Sequence, residues 1–198
     1  MNFGATADES DPWLERHLPT LAGRSVFEIG CGGGRDTRAL VDVAGRVVAL
    51  DISANSIERA RTVAPAAEFH CQDLRAPWPA SAAGVDAVVA SLSLHYFAWG
   101  ETLALVDRIL RALVAHGVLL CRLNSTNDIH CGARGHPEME PNYYAVDGQP
   151  KRFFDRAAID ALFAEGWNLR DVEERTVMRY TYPKVLWEIV ATKATNDG

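Results

Sequence analysis

Hydrophobic and polar positions along the chain alternate between two periods. Ser25 to Ile29 and Arg46 to Ile52 are short, nearly continuous apolar runs, the pattern of strands buried on both faces. Between them, Arg35 to Ala44 places Ala39, Leu40 and Val43 on one helical face, with Gly45 as a stop signal. Ser53 reads as the N-cap of a helix through Val63 that Pro65 closes. The cycle continues with a short strand at Glu68 to Gln72, a loop at Asp73 to Gly84 and a strong strand at Asp86 to Leu94. Leu103, Val106, Leu110, Leu113 and Val114 then form a helical stripe, and Gly117 to Leu123 is the next strand.

The last third breaks this rhythm. Asn124 to Arg152 has no sustained period and reads as a long loop, a lid or binding segment by its length. A helix at Asp155 to Glu165 follows, stopped by Gly166. Two β-like stretches, Leu169 to Tyr180 and Lys184 to Lys193, have only Thr181 to Pro183 between them and must pair as an antiparallel hairpin. The predicted fold is α/β: a doubly wound, mostly parallel seven-stranded sheet with helices on both faces and a C-terminal antiparallel hairpin. Residues 1–198 are expected to form a single domain, with 1–20 as an N-terminal cap segment and 124–152 as a lid.

Composition narrows the function classes. The 198 residues are 48% hydrophobic and 23% charged, ordinary for a globular domain, and the net charge is −6. That acidity opposes nonspecific binding to nucleic acid or anionic membrane, which needs a basic field. The longest stretches free of charge, Ala87 to Gly100 and Ala112 to Cys121, are too short to span a bilayer. The acidic N-terminus shows no secretory signal, so a cytoplasmic location is expected. Cys31, Cys71, Cys121 and Cys131 lack metal or disulfide spacing, and the loop residues His130, Cys131 and His136 do not add one; no metal is expected.

The densest chemistry lies in VFEIGCGGGRDT, Val26 to Thr37. Glycines between a buried strand and a helix let the backbone approach a ligand closely. The spacing does not fit a dinucleotide loop: counting from Gly30 the third glycine position holds Arg35, and from Gly32 it holds Thr37. No lysine followed by Ser or Thr is present, which excludes a P-loop. The pattern is instead Glu28-x-Gly30-x-Gly32-x-Gly34, followed by acids at two later strand ends, Asp51 and Asp73.

In these residues the chain resembles the class I S-adenosylmethionine-dependent methyltransferases, from about Leu21 to Lys193. The resemblance implies a cofactor loop of Glu28, Gly30, Cys31, Gly32 and Gly34, and a ribose-binding acid at Asp51 followed by Ile52. It further implies an adenine-contacting pair at Asp73 and Leu74, and a wall residue at Ser91. S-adenosylmethionine is the implied cofactor, and the implied function is methyl transfer to a small molecule by direct displacement. An Asn or Asp-Pro-Pro-aromatic motif, frequent in nucleic-acid methyltransferases of this fold, is absent from SLSLHYF, Ser91 to Phe97.

His95 is the candidate general base because its ordinary pKa lies near neutrality, and a histidine satisfied within its turn is the alternative. Candidate acceptor contacts are Tyr96, Asn124, Tyr143, Tyr144, Arg152 and Arg179. Trp13 and Arg16 are candidates to cover the cofactor. The expected partners are a small acceptor and, at most, a second copy of the chain, with neither nucleic acid nor membrane. Two rival readings remain: a Rossmann-type oxidoreductase using a nucleotide, and a noncatalytic S-adenosylmethionine-binding protein.

Overall fold

The computed structural model describes residues 12–178 and 182–194. Eight elements build its first half: α1 (Leu18–Leu21), β1 (Ser25–Ile29), α2 (Arg35–Val41), β2 (Arg46–Asp51), α3 (Ala54–Val63), β3 (Glu68–Cys71), β4 (Val85–Ser91) and α4 (Trp99–Ala112). β5 (Leu113–Asn124), β6 (Glu138–Glu140), β7 (Tyr143–Val146), β8 (Gln149–Arg152), α5 (Arg156–Leu162), β9 (Trp167–Val177) and β10 (Lys184–Lys193) follow. Seven strands form one sheet in the order β3-β2-β1-β4-β5-β10-β9, and β6-β7-β8 form a second, smaller sheet. β1 to β5 run parallel, and β10 lies antiparallel to both β5 and β9. The expected fold class and hairpin are therefore present. Among the described residues no helix is long and apolar enough to cross a membrane.

The central strands are apolar throughout because both faces are covered. Phe27, Ile29, Val48, Val88 and Leu119 face one core cluster with α4 and α5. Their neighbours Val26, Val47, Val89 and Leu120 face the other, with Trp13, Leu14, Leu21 and Leu40. Strand order reverses between β1 and β4, which opens a crevice at the carboxyl ends of these strands, where ligands bind in open α/β sheets.

Several expected boundaries are corrected. α2 ends at Val41 rather than Ala44, since Val43 N–H bonds to Leu40 O and tightens the last turn. Leu113 and Val114 belong to β5, not to the helical stripe; the strand starts directly after α4, and a register shift between Val85 and Ala87 absorbs the irregularity. α5 spans Arg156–Leu162 inside the longer helix expected. The largest correction is residues 124–152, which are not a structureless loop. They contain a 3-10 turn (Ile129–Cys131) and the three strands β6, β7 and β8.

The turn between β7 and β8 is Asp147–Gly148, with φ of 50° and 77°. That is the two-residue hairpin signature, and it stands openly in AVDGQP. The surrounding strands are only four residues each, too short for a period to be visible.

Gly34 shows how tightly the first crossover is packed. It caps α2 in the left-handed region at φ 85°, and a Cβ there would stand 2.8 Å from Ala60 Cα. Backbone cannot retreat as a flexible side chain can. Gly34→Ala should therefore lower stability by on the order of 1–3 kcal/mol. Urea unfolding of the variant checks this, and an unchanged midpoint would show that the α2–α3 contact is looser than described.

Candidate active site

The loop after β1 bends over the end of β2. Gly30 N–H and Cys31 N–H both donate to Leu50 O, at 2.8 and 3.0 Å. Gly30 has φ 76°, and a Cβ on it would meet Ser93 Cβ at 2.6 Å, so the loop rests against the segment that leaves β4. Gly32, at φ 52°, has open space where a side chain would project. Its N–H donates to Asp51 Oδ2 at 2.8 Å, and Ser53 N–H donates to Asp51 Oδ1 at 2.9 Å. Each carboxylate oxygen thus keeps lone-pair capacity for further donors.

A cavity of about 250 Å³ opens at this crevice. Of the expected cofactor residues, Gly30, Asp51, Ile52, Asp73 and Leu74 line it, as does Tyr96 from the acceptor set. Ile52 exposes 69% of its surface beside Asp51, an apolar face left uncovered by the fold. Asp73 turns back on Arg75, accepting its N–H at 2.8 Å and its guanidinium at 3.2 Å. Ser91 ends β4 without lining the cavity; Leu92 and Ser93 line it instead. Leu92 takes φ 53°, a left-handed turn rare outside glycine that no sequence pattern announced. Gln72 and Arg75 also line the cavity and were missed, because nothing in their spacing separates them from ordinary loop residues.

Glu28 and Cys31 lie beneath the loop. Glu28 is 3% exposed and accepts the Thr37 hydroxyl at 2.5 Å, linking β1 to α2. Burial pushes its carboxyl up to about 8, against the opposing pull of the Thr37 hydrogen bond. Burial likewise raises the Cys31 thiol, helped by the charges of Glu28 and Asp51, so it is no thiolate at neutral pH.

Among the described residues the other candidates, apart from Tyr96, lie off that cavity. His95 is 4% exposed and does not line the cavity; burial first, then the charges of Lys184 and Lys151, lower it to about 3. It is a neutral, weakly basic imidazole, and its Nδ1 has no partner among the described residues. Asn124 is buried at the end of β5, its amide 3.5 Å from Arg152 O. Tyr143 donates its hydroxyl to Tyr96 O at 3.0 Å, and Arg152 donates Nε–H to Phe97 O at 3.2 Å. Tyr144 packs against Phe153. Arg179 lies outside the described residues. A second cavity of about 590 Å³ lies where Trp99, Glu140, Asn142, Arg152 and Asp155 meet. Trp13 and Arg16 line neither cavity: Trp13 is core, under the Arg122 guanidinium, and Arg16 pairs with Glu188 on β10. Among the described residues no cluster of metal-ligating side chains occurs.

Comparison with known proteins finds similar sequences and similar folds. A family profile described as "Methyltransferase domain" matches residues 26–117. The chain is 35% identical over 112 residues to a trans-aconitate 2-methyltransferase of Paracidovorax citrulli (strain AAC00-1), covering 56% of this chain and 42% of the relative. It is 27% identical over 140 residues to a phosphoethanolamine N-methyltransferase of Triticum aestivum, covering 69% of this chain and 27% of the relative. The chain thus spans less than half the length of either relative. Its fold is shared with the N-methyltransferase NodS of Bradyrhizobium japonicum WM9, solved with S-adenosyl-L-homocysteine (TM-score 0.68, 16% identity, 96% of this chain and 94% of that one). An S-adenosylmethionine-dependent methyltransferase from Mesorhizobium loti is similar at TM-score 0.72 and 21% identity, over 92% of this chain and 96% of that one.

The Glu28 carboxyl yields a pH prediction. Its folded-state value lies above the ordinary 4.5, so the folded form holds the proton more tightly. Its contribution to stability is full below about pH 4.5 and is lost as pH rises toward about 8. Glu28→Gln removes that titration while keeping an acceptor for Thr37. The stability of the variant relative to the unsubstituted protein should therefore climb between about pH 4.5 and about pH 8 and level off above that. Denaturant melts across that range check it, and a pH-independent difference would reject the protonated carboxyl.

Proposed function

We propose that this chain is a class I S-adenosylmethionine-dependent methyltransferase that binds S-adenosylmethionine in the crevice cavity and methylates a small molecule. The observation that carries the reading is the joint placement of Gly30, Asp51, Ile52 and Asp73 around one cavity at the strand-order reversal.

The residues present fit the cofactor. Asp51 has lone pairs for the vicinal ribose hydroxyls, held in place by two backbone donors. The exposed face of Ile52 suits an adenine ring, and Asp73 and Leu74 stand at the cavity for its polar edge. The open position at Gly32 lets a ligand approach the loop backbone. Ser93 Oγ is buried without a partner among the described residues, an orphan that a bound polar group would satisfy.

When bound, the cofactor supplies an electrophilic methyl on a sulfonium. The chain's own part is alignment and exclusion of water. Tyr96 and Phe97 wall the cavity beside the ends of β4 and β5, where the acceptor would be held. A general base is required only for an acceptor that arrives protonated. His95 is buried, lies off the cavity lining and is lowered to about 3, so it is poorly matched to that work at neutral pH. The relatives are named for acceptors as different as trans-aconitate and phosphoethanolamine, which supports the small-molecule class without choosing within it.

Thermal melting tests the reading. S-adenosylhomocysteine at 100 times its Kd should add about 2.7 kcal/mol of stability. NAD should add nothing, because the glycine spacing does not suit a dinucleotide. Asp51→Ala should remove most of the adenosyl shift. A shift with NAD and none with the adenosyl compounds would overturn the proposal in favour of an oxidoreductase.

A further inference from the structure

Between the two cavities runs a strap, Tyr96 to Trp99, which leads from the turn after β4 into α4. Its Tyr96 and Phe97 side line the crevice cavity, and its Trp99 side lines the larger one. Side chains, rather than a strand ladder, satisfy much of its backbone. Tyr96 O accepts from the Tyr143 hydroxyl at 3.0 Å. Phe97 O accepts from Arg152 Nε–H at 3.2 Å and from the Thr102 hydroxyl at 3.3 Å. Ala98 N–H donates to Glu101 at 3.3 Å, and Trp99 N–H donates to Glu140 at 3.0 Å.

Three of these partners, Glu140, Tyr143 and Arg152, come from the small sheet, and Arg152 joins them. It is 4% exposed, pairs with Glu140, donates to Pro141 O at 3.2 Å, and lies 4.7 Å from the Tyr143 ring centroid. Its guanidinium also stands 5.6 Å from the Trp99 ring. On the opposite side of the strap, the Arg75 guanidinium lies 4.8 Å over the Phe97 ring. Phe97 is thus held by its carbonyl from the small sheet and by its ring from the cofactor side.

We propose that Arg152 is a positioning residue for the cofactor cavity, acting through the Phe97 carbonyl and the Glu140–Trp99 contact to hold the Tyr96–Phe97 wall. The inference rests on the cofactor reading above and adds a role for the segment inserted between β5 and α5. Arg152 directs N–H groups to Phe97 O, Pro141 O and Glu140 at once, which needs a planar fork; a lysine ammonium on a flexible stem cannot reproduce it.

Calorimetric titration with S-adenosylhomocysteine tests this. Arg152→Gln and Arg152→Lys should each weaken binding about tenfold, about 1.4 kcal/mol. Tyr143→Phe, which keeps the ring and loses only the bond to Tyr96 O, should weaken it in the same direction and serves if the arginine variants fail to fold. Val146→Ala, in the same small sheet but packed against Ala133 and Phe153, should lower the melting temperature yet leave affinity within about twofold. Equal affinity of the unsubstituted, Arg152→Lys and Tyr143→Phe proteins would overturn the positioning role and leave the cofactor reading intact. A loss with Val146→Ala as large as with Arg152→Lys would overturn it too, by showing general loosening. Absence of binding by the unsubstituted chain would overturn both readings.

Discussion

The Asp51 carboxylate is the constraint on which the site's geometry hangs. It stands on the last residue of β2 and receives one N–H from the glycine loop and one from the turn into α3. Both donors are in place only because β1 and β2 pair in parallel register, Ile29 opposite Leu50, so that Leu50 O can receive Gly30 and Cys31. The same bend delivers Gly34 against Ala60 and so sets the packing of α2 on α3. One side chain therefore ties the glycine loop to the start of α3 at the lining of the cavity. An acid with both oxygens held by backbone donors is also an ordered acceptor for a ligand.

The layered part of the fold was legible because its causes are local. Phe27 and Val26 point to opposite faces of one strand, and their apolarity announces two covered faces before any contact is known. Ser53, with its hydroxyl accepting Ser56 N–H, starts α3 as its residue type suggests. Gly30, Asp51 and Asp73 stand at or just past strand ends, which parallel strands bring to one edge, and the family resemblance added Ile52 and Leu74. What escaped was set by tertiary contacts or by strain. Leu92 adopts a left-handed turn that its residue type disfavours, and this moved the cavity wall from Ser91 to Leu92 and Ser93.

The segment 124–152 illustrates a different limit. Its three strands are three or four residues long, and its order comes from charge and aromatic contacts centred on Arg152 rather than from apolar periodicity. Buried arginine is unusual unless its donors are satisfied, and here the satisfying groups are main-chain carbonyls and Glu140, spread over positions 97 to 141. No reading of periods brings such residues together. The Asp147–Gly148 pair is a local hairpin signal that the reading of 124–152 as a loop passed over.

The two outer strands of the large sheet differ in how they terminate it. β3 is four residues long and offers little unpaired backbone. β9 is eleven residues long and would be an open template for another chain. Its sequence answers that hazard: Arg170, Asp171, Glu173, Glu174 and Arg175 place charges of both signs along the free edge, and these side chains are solvated. A second strand docking there would have to strip water from several ions at once. Among the described residues this is the long margin that the topology leaves open, and its charges oppose edge-to-edge association and aggregation there.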